Sequence, residues 1–156
     1  MPRIQDRLQE LQITLPEAPK PVAAYVPAVK TGNLIYVSGQ IPFRDGKLFA
    51  TGPVPSQTSL HEAQEAAKQC VLNVLAILAD TLNGDLDRIR RIVKLGVFVF
   101  SDADFTDQPE VANGASELLQ DIFGEAGRHA RAAVGSVALP LGASVEVEMS
   151  VEVEEG

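Results

Sequence analysis

Tryptophan is absent, tyrosine occurs twice and phenylalanine six times, so the chain offers no evident platform for stacking unpaired bases. Cations are also scarce, with 13 Lys and Arg against 21 Asp and Glu and a net charge of -8. Phosphate binding depends on basic side chains displacing counterions, so this balance disfavours broad contact with nucleic acid and confines any basic site to a small pocket. Cys70 is the sole cysteine, which excludes an internal disulfide and fits the cytoplasm as the expected location. His61 and His129 are the only histidines, and neither has a histidine or cysteine three or four residues away, so zinc is not expected. No apolar run approaches the roughly 20 residues of a membrane helix. The opening MPRIQDRLQELQ lacks the apolar core of a secretory signal. Gly-rich phosphate loops of either common type and a GxSxG elbow are missing as well.

What is present is the material of one globular domain: 156 residues, 46% apolar and 22% charged, enough to bury a core. Ile4, Leu8 and Leu11 recur at helical spacing and predict a short leader helix, ended by Pro16, Pro19 and Pro21, so residues 1–20 read as a leader and 21–156 as the domain. Ala24 to Val29 and Leu34 to Gln40 flank Thr31-Gly32-Asn33 as a hairpin, and Asp45-Gly46 introduces a short third strand at Lys47 to Ala50,. Ser59 and Glu62 form a capping box ahead of Ala63, Ala67, Cys70, Val74 and Ile77, which predicts a helix to about Leu82 with Cys70 as a buried, inert thiol. Ile92 to Phe100 is apolar at nearly every position and reads as a central strand; a second helix spans about Pro109 to Phe123,.

Two strands complete the pattern. One begins near Ala130 and stops at Pro140; the other, SVEVEMSVEVE, alternates strictly, with Val145, Val147, Met149, Val151 and Val153 on one face and glutamates on the other,. About six strands and two helices pack most economically as an α+β two-layer sandwich, a mixed sheet with both helices on one face. The other sheet face is left uncovered, and self-association is the expected remedy. Read as a hairpin around Leu141 to Ser144, the last two strands would put Arg131 opposite Glu152 to Glu154 and about 20 Å from Glu146. The two could then meet over a small ligand only if they came from different copies of the chain or if the hairpin were strongly irregular.

Tyr25, the SGQIP segment at Ser38 to Pro42, Asn113, Arg131 and Glu146 together resemble the YjgF/YER057c/UK114 (Rid) family of reactive-intermediate deaminases, over about residues 20 to 154. AAYVPAVKTGNLIYVSGQIP is similar to the family's first signature, and ARAAVGSVALP to its second. The resemblance implies that Tyr25, Ser38, Gly39, Asn113 and Ala133 line a ligand pocket, that Arg131 binds the substrate carboxylate and that Glu146 positions a water. His129, Ala132 and Ala133 stand where the deaminases usually carry proline, a small hydroxyl residue and cysteine. The implied fold is chorismate-mutase-like, and the implied assembly a homotrimer with sites between subunits. The implied activity is hydrolysis of 2-imino acids, tautomers of enamines, to 2-oxo acids and ammonia, with no cofactor. Arginine suits that substrate because its planar fork grips a carboxylate at two points. Two other activities stay open, a non-catalytic binder of small 2-oxo acids and the endoribonuclease activity attributed to some relatives.

Overall fold

A computed structural model describes residues 3–20 and 23–155, so Pro21 lies outside the described residues. The leader helix α1 (Ile4–Glu10) buries Leu8 against the body. Arg3 pairs with Asp87 at 3.1 Å, the Ile4 amide donates to the same carboxylate at 2.8 Å, and Arg7 donates to the Asp121 carbonyl. The amide bond and then Arg3 hold the Asp87 carboxyl below its ordinary range,. Residues 13–20 then run without helix or strand, as Pro16 and Pro19 require.

β1 (Ala28–Thr31) and β2 (Leu34–Gln40) form the expected hairpin. The first strand starts later than its apolar run: residues 23–27 are bends rather than strand, held to β2 by Ser38, whose amide donates to the Pro27 carbonyl and whose Oγ donates to the Val26 carbonyl, each at 2.9 Å. The third strand is also different. β3 (Phe43–Arg44) pairs with β4 (Lys47–Leu48) as a ribbon separate from the main sheet. Asp45 at φ 53° and Gly46 at φ 79° give it the doubly left-handed turn that matches strand twist,. The ribbon is pinned to helix α2 (Leu60–Thr81) by Asn73, whose amide donates to the carbonyls of Ile41 and Phe43 at 3.1 Å each.

β5 (Ile89–Phe100), β6 (Ala130–Ser136) and β7 (Val145–Val153) complete a five-stranded mixed sheet of order β1-β2-β7-β5-β6. Helices α2 and α3 (Gln108–Phe123) both cover one face of it, giving the two-layer α+β sandwich. Val145, Val147, Met149, Val151 and Val153 are all buried under the helices. Across the opposite face run Tyr36, Lys94, Phe98 and the row of glutamates, with Tyr36 52% exposed. Cys70 is buried on α2 with its thiol against the Val145 carbonyl, and burial pushes the thiol well above its ordinary range.

The last two strands are not a hairpin. β5 lies between them, parallel to β6 and antiparallel to β7. The helix α3 crossover delivers β6 to the outer edge of β5, where a strand of small residues, ARAAVGS, suits an edge position. It ends at Ser136 rather than Pro140.

Candidate functional site

The corrected topology fixes where the candidate residues sit. Arg131 is paired with Leu95, and Leu95 with Met149; both partners are buried beneath the helices, so Arg131 points to the helix side of the edge strand. Glu146 is paired with Phe98 and belongs to the opposite, open face,. Counting two strand spacings across and three residues along puts their backbones roughly 14 Å apart, on opposite sides of the sheet. Proximity is thus excluded within one chain by facing, not by the hairpin distance that sequence adjacency suggests.

The site residues fall into two groups. The first gathers Tyr25, Gly39 and Glu146 around a pocket of about 820 Å³. Its walls include Pro16, Pro19 and Lys20 of the leader, and Asn73 of α2. Glu146 reaches Gly39 because β2 changes register against β7 between Val37 and Gln40, an irregularity that turns the SGQ segment toward the carboxylate,. Burial first, and Glu148 second, raise the Glu146 carboxyl above its ordinary range,. Ser38, whose hydroxyl holds the Tyr25 loop, lines a neighbouring groove with Tyr36, Lys94 and Glu148 instead.

Gly39 shows how tightly this carboxylate is seated. A Cβ placed there would lie 2.8 Å from Glu146 Oε2. The obstacle is the tip of a flexible side chain, so Gly39→Ala should leave the melting temperature within about 4 °C of the parent while moving the carboxylate. Any activity that uses Glu146 should fall at least tenfold, as misplacement of a catalytic group by a fraction of an ångström does; thermal melts and turnover on the same samples check this.

The raised carboxyl makes a second prediction. A group that holds its proton more tightly in the folded chain stabilises the fold below the unfolded carboxyl range, and loses that contribution as pH rises through the folded value. At neutral pH the ionised Glu146 is therefore a destabilising charge. Glu146→Gln should melt at higher temperature than the parent near neutrality, and the difference should vanish in acid near pH 3–4, below the ordinary carboxyl range. Equal melting temperatures throughout would mean that this carboxyl is fully hydrated.

The second group surrounds Arg131. Its Nη1 donates to Asn113 Oδ1 at 2.8 Å and to Ser116 Oγ at 3.1 Å, both on α3. Asn113 and Ser116 are three residues apart and so share a helix face. Ser116 Oγ also lies 2.9 Å from His129 Nε2. Ala133 follows Arg131 by two residues on the same face of β6, partly buried against the core. No carboxylate lies within ion-pair distance of Arg131 among the described residues. Ser116 and His129 were not marked as site residues by the sequence. The spacing of Asn113 and Ser116 on one helix is the only signal that points to the serine.

No group of three or more His, Cys, Asp or Glu placed to hold a metal ion occurs among the described residues. Nor is any described helix long and apolar enough to cross a membrane.

Residues 15–153 match the family model described as Endoribonuclease L-PSP. Protein TCP17 of Trypanosoma cruzi is 48% identical over 151 residues, which cover 96% of this chain and 94% of that protein. A 2-iminobutanoate/2-iminopropanoate deaminase of Dermatophagoides farinae is 31% identical over 144 residues, covering 91% and 95%. A crystal structure of a protein with unknown function from Agrobacterium tumefaciens superposes with a TM-score of 0.90 at 48% identity, covering 97% of this chain and 92% of that one. A match of this extent, together with the two signature segments around Ser38 and Arg131, makes the chain a member of the Endoribonuclease L-PSP family, the YjgF/YER057c/UK114 proteins.

Proposed function

We propose that the protein hydrolyses 2-imino acids to 2-oxo acids and ammonia in a cleft formed between copies of the chain. The observation that carries this reading is the state of Arg131: a guanidinium held by two neutral oxygens, with no carboxylate partner among the described residues. A cation so oriented and left uncompensated suits a ligand carboxylate. The opposite sheet face supplies what hydrolysis needs, a carboxylate of raised basicity next to Gly39 and Tyr25 in a largely apolar pocket,. Because the two groups face opposite ways, one chain's Arg131 works with the Glu146 of a neighbour, and a homotrimer closes three such clefts.

Arg131 holds the substrate carboxylate and thereby fixes C2. Glu146 accepts a proton from a water whose oxygen bonds to C2, as the C=N electron pair moves to nitrogen and nitrogen is protonated. In the resulting carbinolamine a second proton reaches nitrogen, the C–N bond breaks, ammonia leaves, and the hydroxyl proton is lost as the C=O bond forms. The Tyr25 hydroxyl and backbone N–H groups near Gly39 and Ala133 stabilise the developing polar groups. Activity in a named 2-iminobutanoate/2-iminopropanoate deaminase relative supports this chemistry. Hydrolysis of RNA is disfavoured, since the chain has few cations to neutralise phosphates, 13 Lys and Arg against 21 Asp and Glu, and no tryptophan on which a base could stack,.

The decisive assay couples the protein to a threonine dehydratase and traps the released imine with semicarbazide. The protein should lower the yield of trapped imine in proportion to its concentration. An unchanged yield, with 2-oxobutyrate still raising the melting temperature, would instead identify a carboxylate-binding protein without turnover.

A further inference from the structure

Arg131 stands at the end of a chain of hydrogen bonds whose polarity can be read from one end to the other. His129 Nδ1 lies 2.7 Å from the Gly127 carbonyl oxygen. A carbonyl can only accept, so Nδ1 carries a proton; Arg131 can only donate to Ser116 Oγ, so Nε2 is the one neighbour able to accept the hydroxyl proton,. The Ser116 hydroxyl, 2.9 Å from Nε2, therefore donates its one proton there. That leaves the Ser116 lone pairs for Arg131 Nη1, at 3.1 Å, while Asn113 Oδ1 takes the other Nη1 proton at 2.8 Å. Ser116 is nearly fully buried, so its hydroxyl has little access to competing water.

This ordering has a consequence for the guanidinium. Arginine has five N–H donors in a rigid plane, and both of those on Nη1 are occupied. The free donors are on Nε and Nη2, and one from each lies parallel along a single edge, the geometry of a two-point carboxylate contact. We infer that His129 and Ser116 are positioning residues: through the fixed hydroxyl they hold Nη1 and so commit the Nε/Nη2 edge of Arg131 to the ligand carboxylate. The inference rests on the reading of Arg131 as the carboxylate clamp. It also gives His129 a purpose, since a side chain without a ring acceptor would leave the Ser116 hydroxyl free to turn toward the carbonyl one helical turn back.

Titration calorimetry with 2-oxobutyrate as the probe tests it, on proteins whose folding is checked by thermal melts. Ser116→Ala and His129→Phe should each weaken binding about fivefold, the worth of one net hydrogen bond. The double variant should be no weaker than Ser116→Ala alone, because both remove the same link. His129→Gln, whose amide oxygen can accept from Ser116, should retain most of the affinity and also serves if the phenylalanine variant does not fold. In an Arg131→Ala background, Ser116→Ala should have no further effect, an outcome a merely structural role would not give. Parental affinity in folded Ser116→Ala and His129→Phe, with Arg131→Ala still defective, overturns the positioning chain and leaves the clamp intact. Losses that persist without Arg131 overturn it too. Parental affinity in Arg131→Ala itself removes both the clamp and its positioning.

Discussion

Arg131→Ala should cut kcat/KM for 2-imino acids about a thousandfold without unfolding the protein. Truncating one partner of a close charge-assisted pair costs about 2–5 kcal/mol, and each 1.4 kcal/mol is tenfold. The loss should divide unequally. The carboxylate does not change during the reaction, so most of its binding energy is shared by ground and transition states, and its removal raises KM. The remainder is orientation: a substrate no longer held at its carboxylate presents C2 to the water over a wider range of angles, and kcat falls about tenfold. Arg131→Lys restores charge but not the planar fork, and should recover KM in part and kcat hardly at all. Stability should change little, because the side chain is exposed in the single chain and has no carboxylate partner among the described residues. Steady-state kinetics beside thermal melts separate these effects. A folded Arg131→Ala protein with parental kcat/KM would mean that the carboxylate is held elsewhere.

The sequence carried the parts of the fold that depend on local chemistry. The α2 start was legible because Ser59 accepts from the Glu62 amide at 3.1 Å, a contact between near neighbours. The buried face of β7 was legible because alternation over nine residues leaves one way to lie on a helix layer. The partner of β6 was not. A short connection to β7 suggests a hairpin, whereas the pairing is decided by β5, which has one edge for each strand. ARAAVGS has no alternation, so nothing in it says which face Arg131 takes. That is settled only by the Arg131 to Leu95 pairing. Among the site residues, the resemblance named Gly39 and Glu146 separately, but their contact lies at a one-residue register shift between Val37 and Gln40. His129 read as a departure from the family pattern; its tie to Ser116 spans 13 residues and needs the α3–β6 packing to exist.

Gly114→Ala should destabilise the protein by about 3 kcal/mol, although the substitution favours the helix it sits in. In an exposed helix interior, alanine is better than glycine by about 1 kcal/mol. Here α3 crosses α2 at Gly114, and an added Cβ would overlap the Gln64 carbonyl oxygen and lie 3.0 Å from both its carbonyl carbon and its Cα. Those atoms belong to a helix backbone, so no side chain can swing aside. The methyl is accommodated only by separating the helices, which loosens the packing of Ala63, Ala67, Val111 and Ala115, all fully buried. Overpacking of this kind costs about 1–3 kcal/mol, occasionally more, and the loosened contacts add to it. The penalty therefore exceeds the propensity gain, and the melting temperature should fall by about 10 °C for a chain of this size. The effect should reach the site as well, since Gln64 Nε2 donates to the Glu110 carbonyl one turn before Asn113, and a displaced α3 carries Asn113 and Ser116 away from Arg131. Gly39→Ala is the contrast: a Cβ there meets a movable carboxylate, so activity falls and the fold holds. A Gly114→Ala protein that melts at or above the parental temperature would show that the two helices slide past one another freely, and the close crossing would then not be what holds the Arg131 side of the site in place.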